Sequence, residues 1–348
     1  MQYASINKKY YCGVDLHGNT SYTCVLTKEG NVALHKETPS DPKTFIALIK
    51  PFMPDIAVCA ESTFNWYWLA DICHNNDVPF FLGHALYMKL IHGGKDKNDP
   101  IDSKKMADLL RTTFLPIAYP YPKEMRETRD LFRRRINFVN QRAALARHIK
   151  ILLYQQGYCD FPANLVQGKD IRQRVLTYKV PKEVFMSIEY DIDMMDKLDE
   201  LITKIDWHTL KSARHFDSHS LAILGTLSGV GNVIGMIILY ETHTIERFKT
   251  PQQYSSYARV VKIDRNSAGK RLAPKNVKIG NPYLRWAFGQ LAVNAQRFYP
   301  EIKSLTEKLI RKLGRKRAYA YLAHKFAVAI YYMLKNKEPF DVIRFAHA

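Results

Sequence analysis

Four carboxylates stand where an acidic site can assemble. Asp15 lies near the end of a strand-type run (YYCGVDL, 10–16), and Glu61 directly follows another (DIAVCA, 55–60). Asp99 and Asp102 lie in KNDPID, one turn apart at the start of a predicted helix. Sites in α/β sheets gather at strand ends near chain reversals. Four carboxylates from three chain segments can surround hard divalent cations, Mg²⁺ or Mn²⁺, which take oxygen ligands. Two such ions activate a nucleophile and stabilise a leaving oxygen during phosphoryl transfer. A second reading stays open for each residue. Asp99 fits an N-cap before Pro100, and Asp102 an acidic first turn. Asp15 fits a turn acceptor, and Glu61 a cap partner for the following helix. His17 falls close to Asp15, where a surface or supporting position is the simpler expectation.

A second constellation is cationic. Residues 259–285 carry Arg259, Lys262, Arg265, Lys270, Arg271, Lys275, Lys278 and Arg285 against the single acid Asp264. Such a run grips phosphates. Ser267 sits within it, in Asn266-Ser267-Ala268-Gly269-Lys270. A serine hydroxyl becomes a nucleophile only when a base or metal activates it and cations offset the charge at phosphorus. Taken alone, Asn-Ser-Ala-Gly is an ordinary turn. Upstream, Gly229 and Gly231 separate two apolar helical stretches. There they either let backbone N–H groups approach a phosphate, as in a helix-hairpin-helix, or simply turn the chain.

The elements that must hold these groups are legible from periodicity. Strands are predicted at 10–16, 21–27 and 32–37, with Gly18-Asn19 turning the first pair. A helix at 42–52, a strand at 55–60, a helix at 65–76, a strand at 78–82 and a helix at 84–91 follow. A helix then runs from about Pro100 to Thr113. This order gives an α/β domain with a mixed sheet over residues 1–122. Two long amphipathic stretches, 123–157 and 182–206, predict a helical hairpin or coiled-coil arm over 123–212. Residues 213–348 read as mainly helical, at 221–241, 282–297, 301–313 and 317–335, interrupted by the basic loop at 259–281.

Composition narrows the class. The 348 residues include 52 Lys and Arg against 33 Asp and Glu, a net charge of +19. The excess is uneven: residues 1–122 are neutral, 123–212 carry +4 and 213–348 carry +15. A polyanionic partner, most simply nucleic acid, is expected on the last segment. The N-terminal MQYASINKKYY has no apolar core segment, so no signal peptide is expected. No run of apolar residues is long enough for a membrane span. The five cysteines form no C-x-x-C pair, which speaks against a zinc ribbon or disulfide framework and for a reducing cytoplasm. GVDLHGNT faintly resembles the phosphate loop of actin-like ATPases and sugar kinases, but a second phosphate loop and an adenosine-binding glycine motif are missing.

In order along the chain, GVDLHGNT, VCAES, KNDPIDSKKMADLL, LSGVGNVIGMIILYETHTIERFKTPQQYSSYARVV, NSAGKRLAPKNVKIGNPYLRWAF and AYAYLAHKFAVAIYYML carry a resemblance over nearly its whole length. The chain resembles the DEDD-type transposases of bacterial insertion sequences, relatives of the Piv-type DNA invertases, some described as bridge-RNA-guided serine recombinases. The resemblance implies a RuvC-like, RNase H-fold N-terminal domain, a helical arm and a C-terminal transposase domain. It puts the DEDD carboxylates on Asp15, Glu61, Asp99 and Asp102. The family's serine lies in a segment usually reading Ser-Ser-Gly before a basic residue. Here Asn266 replaces one serine, and Ser267 is the candidate nucleophile. The resemblance further implies Mg²⁺, a phosphoserine link to DNA, donor and target DNA as partners, and a noncoding bridge RNA. It also implies a dimer or tetramer joined through the arm, with a site shared between subunits, in a bacterial cytoplasm and at the nucleoid when bound to DNA. A site-specific invertase of the same family, a junction-resolving nuclease using water, and a non-catalytic nucleic-acid regulator are the alternatives.

Overall fold

The computed structural model describes residues 2–91, 99–162, 164–168, 170–261, 266–267, 270–271 and 279–347; for 89, 90, 91, 214, 266, 267, 270 and 271 it describes the backbone alone. The chain divides into two compact units, Met1–Lys123 and Glu124–Ala348.

The first unit is built on a five-stranded sheet. Strands β1 (Tyr10–Leu16), β2 (Thr20–Thr27) and β3 (Val32–Pro39) form an antiparallel meander, while β4 (Ile56–Glu61) and β5 (Phe80–Gly83) run parallel to β1. The order is β3-β2-β1-β4-β5. β4 reads IAVCAE and is buried over its first five residues, as expected of a parallel strand covered on both faces. Helices α1 (Pro42–Ile49) and α2 (Tyr67–Asn75) supply Phe45, Ile49, Leu69 and Cys73 to one face, against Cys12, Val14, Ile56 and Val58. After α3 (Ala85–Ile91), helix α4 (Asp99–Arg111) covers the other face with Met106, Leu109 and Leu110 on Tyr11, Ala57 and Cys59. This mixed sheet is compatible with an RNase H-like domain. Two predicted boundaries move for local reasons. The helix predicted at 42–52 stops at Ile49 and tightens into a 3₁₀ turn over Lys50–Phe52, because Pro51 has no N–H to continue it. The strand predicted at 78–82 starts at Phe80, after Pro79, which cannot donate to a ladder.

In the second unit, α5 (Lys123–Gln155) and α7 (Lys182–Phe216) lie antiparallel. Arg135–Asp206, Arg142–Asp199 and His148–Asp191 pair across them in opposite chain directions. Ile149, Leu153, Ile188, Ile192 and Met195 fill the far end, closed by Leu165, Val166 and the short α6 (Ile171–Leu176). The second helix runs past the predicted end at 206, because its buried face continues through Thr209 and Ala213. It stops at Asp217, whose carboxylate accepts from Ser220 N and caps α8 (Ser218–Gly225). Helix α9 (Asn232–Thr242) is buried from Ile234 onward. Helices α10 (Pro251–Tyr257), α11 (Pro282–Asn294), α12 (Pro300–Leu313), α13 (Arg315–Asn336) and α14 (Val342–His347) complete the unit. Thr250 and Asn281 cap α10 and α11, each directly before a proline at the first helical position, the N-terminal signature readable in sequence. Between α10 and α11, β6 (Asn266–Ser267) pairs antiparallel with β7 (Lys270–Arg271). Among the described residues no helix is long and apolar enough to cross a membrane.

Candidate active site

Parallel register brings the first two acids together. Val14 pairs with Ala60 in β1 and β4, so the next residues, Asp15 and Glu61, stand side by side at the same strand ends. Side chains alternate along a strand, so both point to the face that also carries Gly13 and Cys59. That face is covered by α4. A Cβ on Gly13 would lie 2.2 Å from Ser103 O and 2.4 Å from Ala107 N. Only glycine lets the helix backbone come this close. Cys59 Sγ donates to Met106 O at 3.4 Å on the same face. At the start of α4, His35 Nε2 lies 3.0 Å from Pro100 O, tying its first turn to β3. Near the other end, Arg111 Nη1 donates to Lys28 O at 3.3 Å.

Held in this way, α4 presents its first turn to the end of β1. Asp15, His17 and Asp99 form a cluster whose ligand atoms all lie within 4.8 Å of one another. His17 Nε2 is 3.6 Å from Asp15 Oδ2 and 3.3 Å from Asp99 Oδ2. The His17 backbone is pinned in turn: its carbonyl accepts from Asn65 Nδ2 at 2.7 Å and from Ser40 Oγ at 3.1 Å. Asn65 belongs to the loop that follows Glu61, so that loop and the end of β1 are fastened to each other. Asp102 stands in the same first turn of α4, with Lys105 Nζ at 3.6 Å. Asp99 and Asp102 are the acidic residues of the first described turn of α4.

The electrostatics suit a cation. Burial pushes the Asp15 carboxyl above its usual range; His17 pulls it down, and Asp99 and Asp102 push it further up. Like charges held together in a half-buried place are what a bound cation offsets. Oxygen donors from Asp15 and Asp99, with the His17 imidazole beside them, fit a divalent ion that accepts mixed oxygen and nitrogen ligands. Sequence reasoning underrated His17. The signal is there to be read, because His17 lies two residues beyond Asp15, just past the end of β1.

The second constellation is placed in part. Lys262, Arg265, Lys275 and Lys278 lie outside the described residues, and Ser267, Lys270 and Arg271 are described as backbone only, with Ser267 opposite Lys270. Arg259, at a positive φ of 56°, donates from Nε to Ile279 O at 2.8 Å, and Arg285 is exposed on α11. Gly229, at φ 103°, packs against the 294–295 backbone, where an added Cβ would meet Ala295 N at 3.1 Å. Gly231 is open and caps α9, with no side-chain bond to the first N–H groups.

The first unit carries carboxylates at its parallel strand ends and the second is helical and basic, and comparison with known families gives the arrangement its class. Residues 12–156 match the family model of DEDD transposases of the IS110 type, described as a transposase. Residues 221–307 match the model described as "Transposase IS116/IS110/IS902 family". No curated protein matches the chain. The two matches, in this order over about two thirds of the chain, show an IS110-family transposase. Transposases of this family bind DNA and cut and rejoin it, and DEDD-type members typically use divalent metal ions.

Proposed function

We propose that this transposase exchanges DNA strands through a covalent serine intermediate. Residues 1–122 supply the carboxylates, 123–212 the arm that joins subunits into a dimer or tetramer, and 213–348 the basic grip with Ser267. Asp15, Glu61, Asp99 and Asp102 would hold Mg²⁺, or Mn²⁺, which when bound would supply charge neutralisation at phosphorus and at the departing oxygen. His17 holds Asp15 and Asp99 in place. The Ser267 hydroxyl oxygen bonds to phosphorus as the bond to one deoxyribose oxygen breaks. The serine proton is lost and the departing oxygen gains one, leaving a free hydroxyl. One phosphate ester replaces another, so the link stores the energy for rejoining when a hydroxyl of a second strand displaces serine. Arg259, Lys262, Arg265, Lys270, Arg271, Lys275, Lys278 and Arg285 hold the phosphates, as do the N–H groups beside Gly229 and Gly231. A noncoding bridge RNA pairs with donor and target, leaving the protein to read backbone and shape.

The observation that carries the reading is the Asp15–His17–Asp99 cluster at the parallel strand ends, on a chain whose transposase matches extend over the basic unit. The test is incubation with nicked and junction DNA and Mg²⁺, then denaturing electrophoresis and peptide mapping. The adduct is expected on Ser267, and Ser267→Ala is expected to bind DNA without forming it. Undiminished cutting by Ser267→Ala would instead mark a nuclease that uses water.

A further inference from the structure

Glu241 is an ionised side chain in an apolar helix. It lies in the last turn of α9, 3% exposed. That position is costly twice over, by burial and by the negative end of the helix dipole. Partners from two other chain segments meet it. From α5, Arg129 Nε donates to Oε2 at 3.0 Å, and Arg133 donates from Nε to Oε1 at 2.7 Å and from Nη2 to Oε2 at 2.9 Å. From the start of α11, Asn281 Nδ2 donates to Oε2 at 2.7 Å. The Arg133 guanidinium also stacks on Tyr283, 4.6 Å from the ring centre.

Asn281 is where the basic segment ends. Its Oδ1 accepts from Tyr283 N at 2.9 Å and Leu284 N at 3.1 Å, starting α11, while its own N–H donates to Tyr257 O at 2.6 Å. Tyr257 is where the segment begins. Gly280, at φ 93°, lets the two ends touch; a Cβ there would sit 2.6 Å from Tyr257 O. The Arg259–Ile279 bond closes the same neck. Entry and exit of the segment are thus fixed to each other, and through Asn281 and Glu241 they are fixed to the arm helix.

We infer that Glu241 and Asn281 are positioning residues, which hold the two ends of the serine-bearing segment, at Tyr257 and Asn281, and tie them to the arm through Arg129 and Arg133. The inference rests on Ser267 as nucleophile. A buried ion cluster is a poor device for stability alone, since apolar residues of similar volume often do as well. Its short directional bonds fix orientation, and in-line attack on phosphorus needs orientation.

The decisive variant is Asn281→Ser. Serine keeps the capping oxygen for α11 and removes the amide that reaches Glu241. Melting temperature, DNA affinity by fluorescence anisotropy, and single-turnover adduct formation at saturating DNA are measured side by side. The melting temperature should change little and DNA affinity by no more than about twofold, while the adduct rate falls about tenfold to a hundredfold, as for a misplaced reacting group. A wild-type rate, or a deficit that vanishes at higher DNA concentration, overturns the inference. Should Asn281→Ser fail to fold, Arg133→Lys decides on the same rate, since it keeps the charge and removes the forked pair of hydrogen bonds. Peptide mapping of the wild-type adduct separates the two failures. An adduct on Ser267 with an unaffected Asn281→Ser rate removes the positioning role alone. An adduct elsewhere, or none, removes the serine reading and this inference with it.

Discussion

Asp15 is the residue whose environment most needs a cation. Asp15→Asn removes a half-buried charge crowded by Asp99 and Asp102. Relief of that repulsion means the metal-free variant should melt no lower than wild type. The stabilisation that Mg²⁺ or Mn²⁺ gives should disappear. Thermal melts with and without the ion check both, and an undiminished metal-induced shift in Asp15→Asn would refute the assignment. Glu241 gives a pH signature of the opposite sign. Burial alone would raise its carboxyl, but the Arg133 bond, the charges of Arg129 and Arg133 and the Asn281 amide hold it below the usual range. A depressed value means the cluster's stability is complete above the ordinary glutamate range. It is lost as pH falls through the lower folded-state value. Glu241→Ala, which removes the buried carboxylate that Arg129, Arg133 and Asn281 share, should cost about 3–5 kcal/mol at neutral pH and flatten the acid limb of urea midpoint against pH. A variant that keeps the wild-type acid limb would show that another group governs it. At this scale the sequence displays the acids but not their company. Asp15, Glu61, Asp99 and Asp102 stand out by their strand ends and their Asp-Pro start. Glu241 closes an apolar run, which implies a partner, yet nothing local names arginines more than a hundred residues away.

Among the elements, α4 depends most on a single position. Its backbone rests on Gly13, so Gly13→Ala should push the helix from β1 and carry Asp99 and Asp102 with it. Overpacking of this kind costs about 1–3 kcal/mol. Metal-dependent cutting should fall by more than the reduced stability explains, measured at a temperature where the variant is fully folded. Full activity there would mean that the acids tolerate a displaced helix. Element types are largely legible, because β4 is an apolar run too short for a helix and the arm's helices carry long amphipathic periods. Ends are less so. Pro51 and Pro79 are visible, but their effect depends on which partner strand or turn needs the missing N–H. The extension of α7 to Phe216 is set by burial against neighbours, which periodicity reports only weakly.

At the scale of the molecule, charge and chemistry are divided. The +15 excess lies in residues 213–348, and the acidic cluster lies within residues 1–122, which carry no net charge. Replacing Lys270, Arg271, Lys275 and Lys278 together with Ala should lower the slope of log affinity against log salt by about 0.7–0.9 for each phosphate no longer neutralised. Anisotropy titrations at several salt concentrations measure this, and an unchanged slope would place the grip elsewhere. That the acids and the excess positive charge lie in different parts of the chain is legible in the sequence. The link between arm and transposase helices is not, because it is made of Glu241 and its partners, which are brought together only by the fold.

The closed neck between Tyr257 and Asn281 has a consequence for how such a chain can be altered. Because the excursion begins and ends at one point, its contour length is decoupled from the threading of every helix around it. Closure entropy grows only slowly with length, so residues added or exchanged beyond the neck change reach and chemistry while the scaffold keeps its path. The segment is therefore an interchangeable cassette on a fixed socket, a natural place to graft a sequence of different span or reactivity.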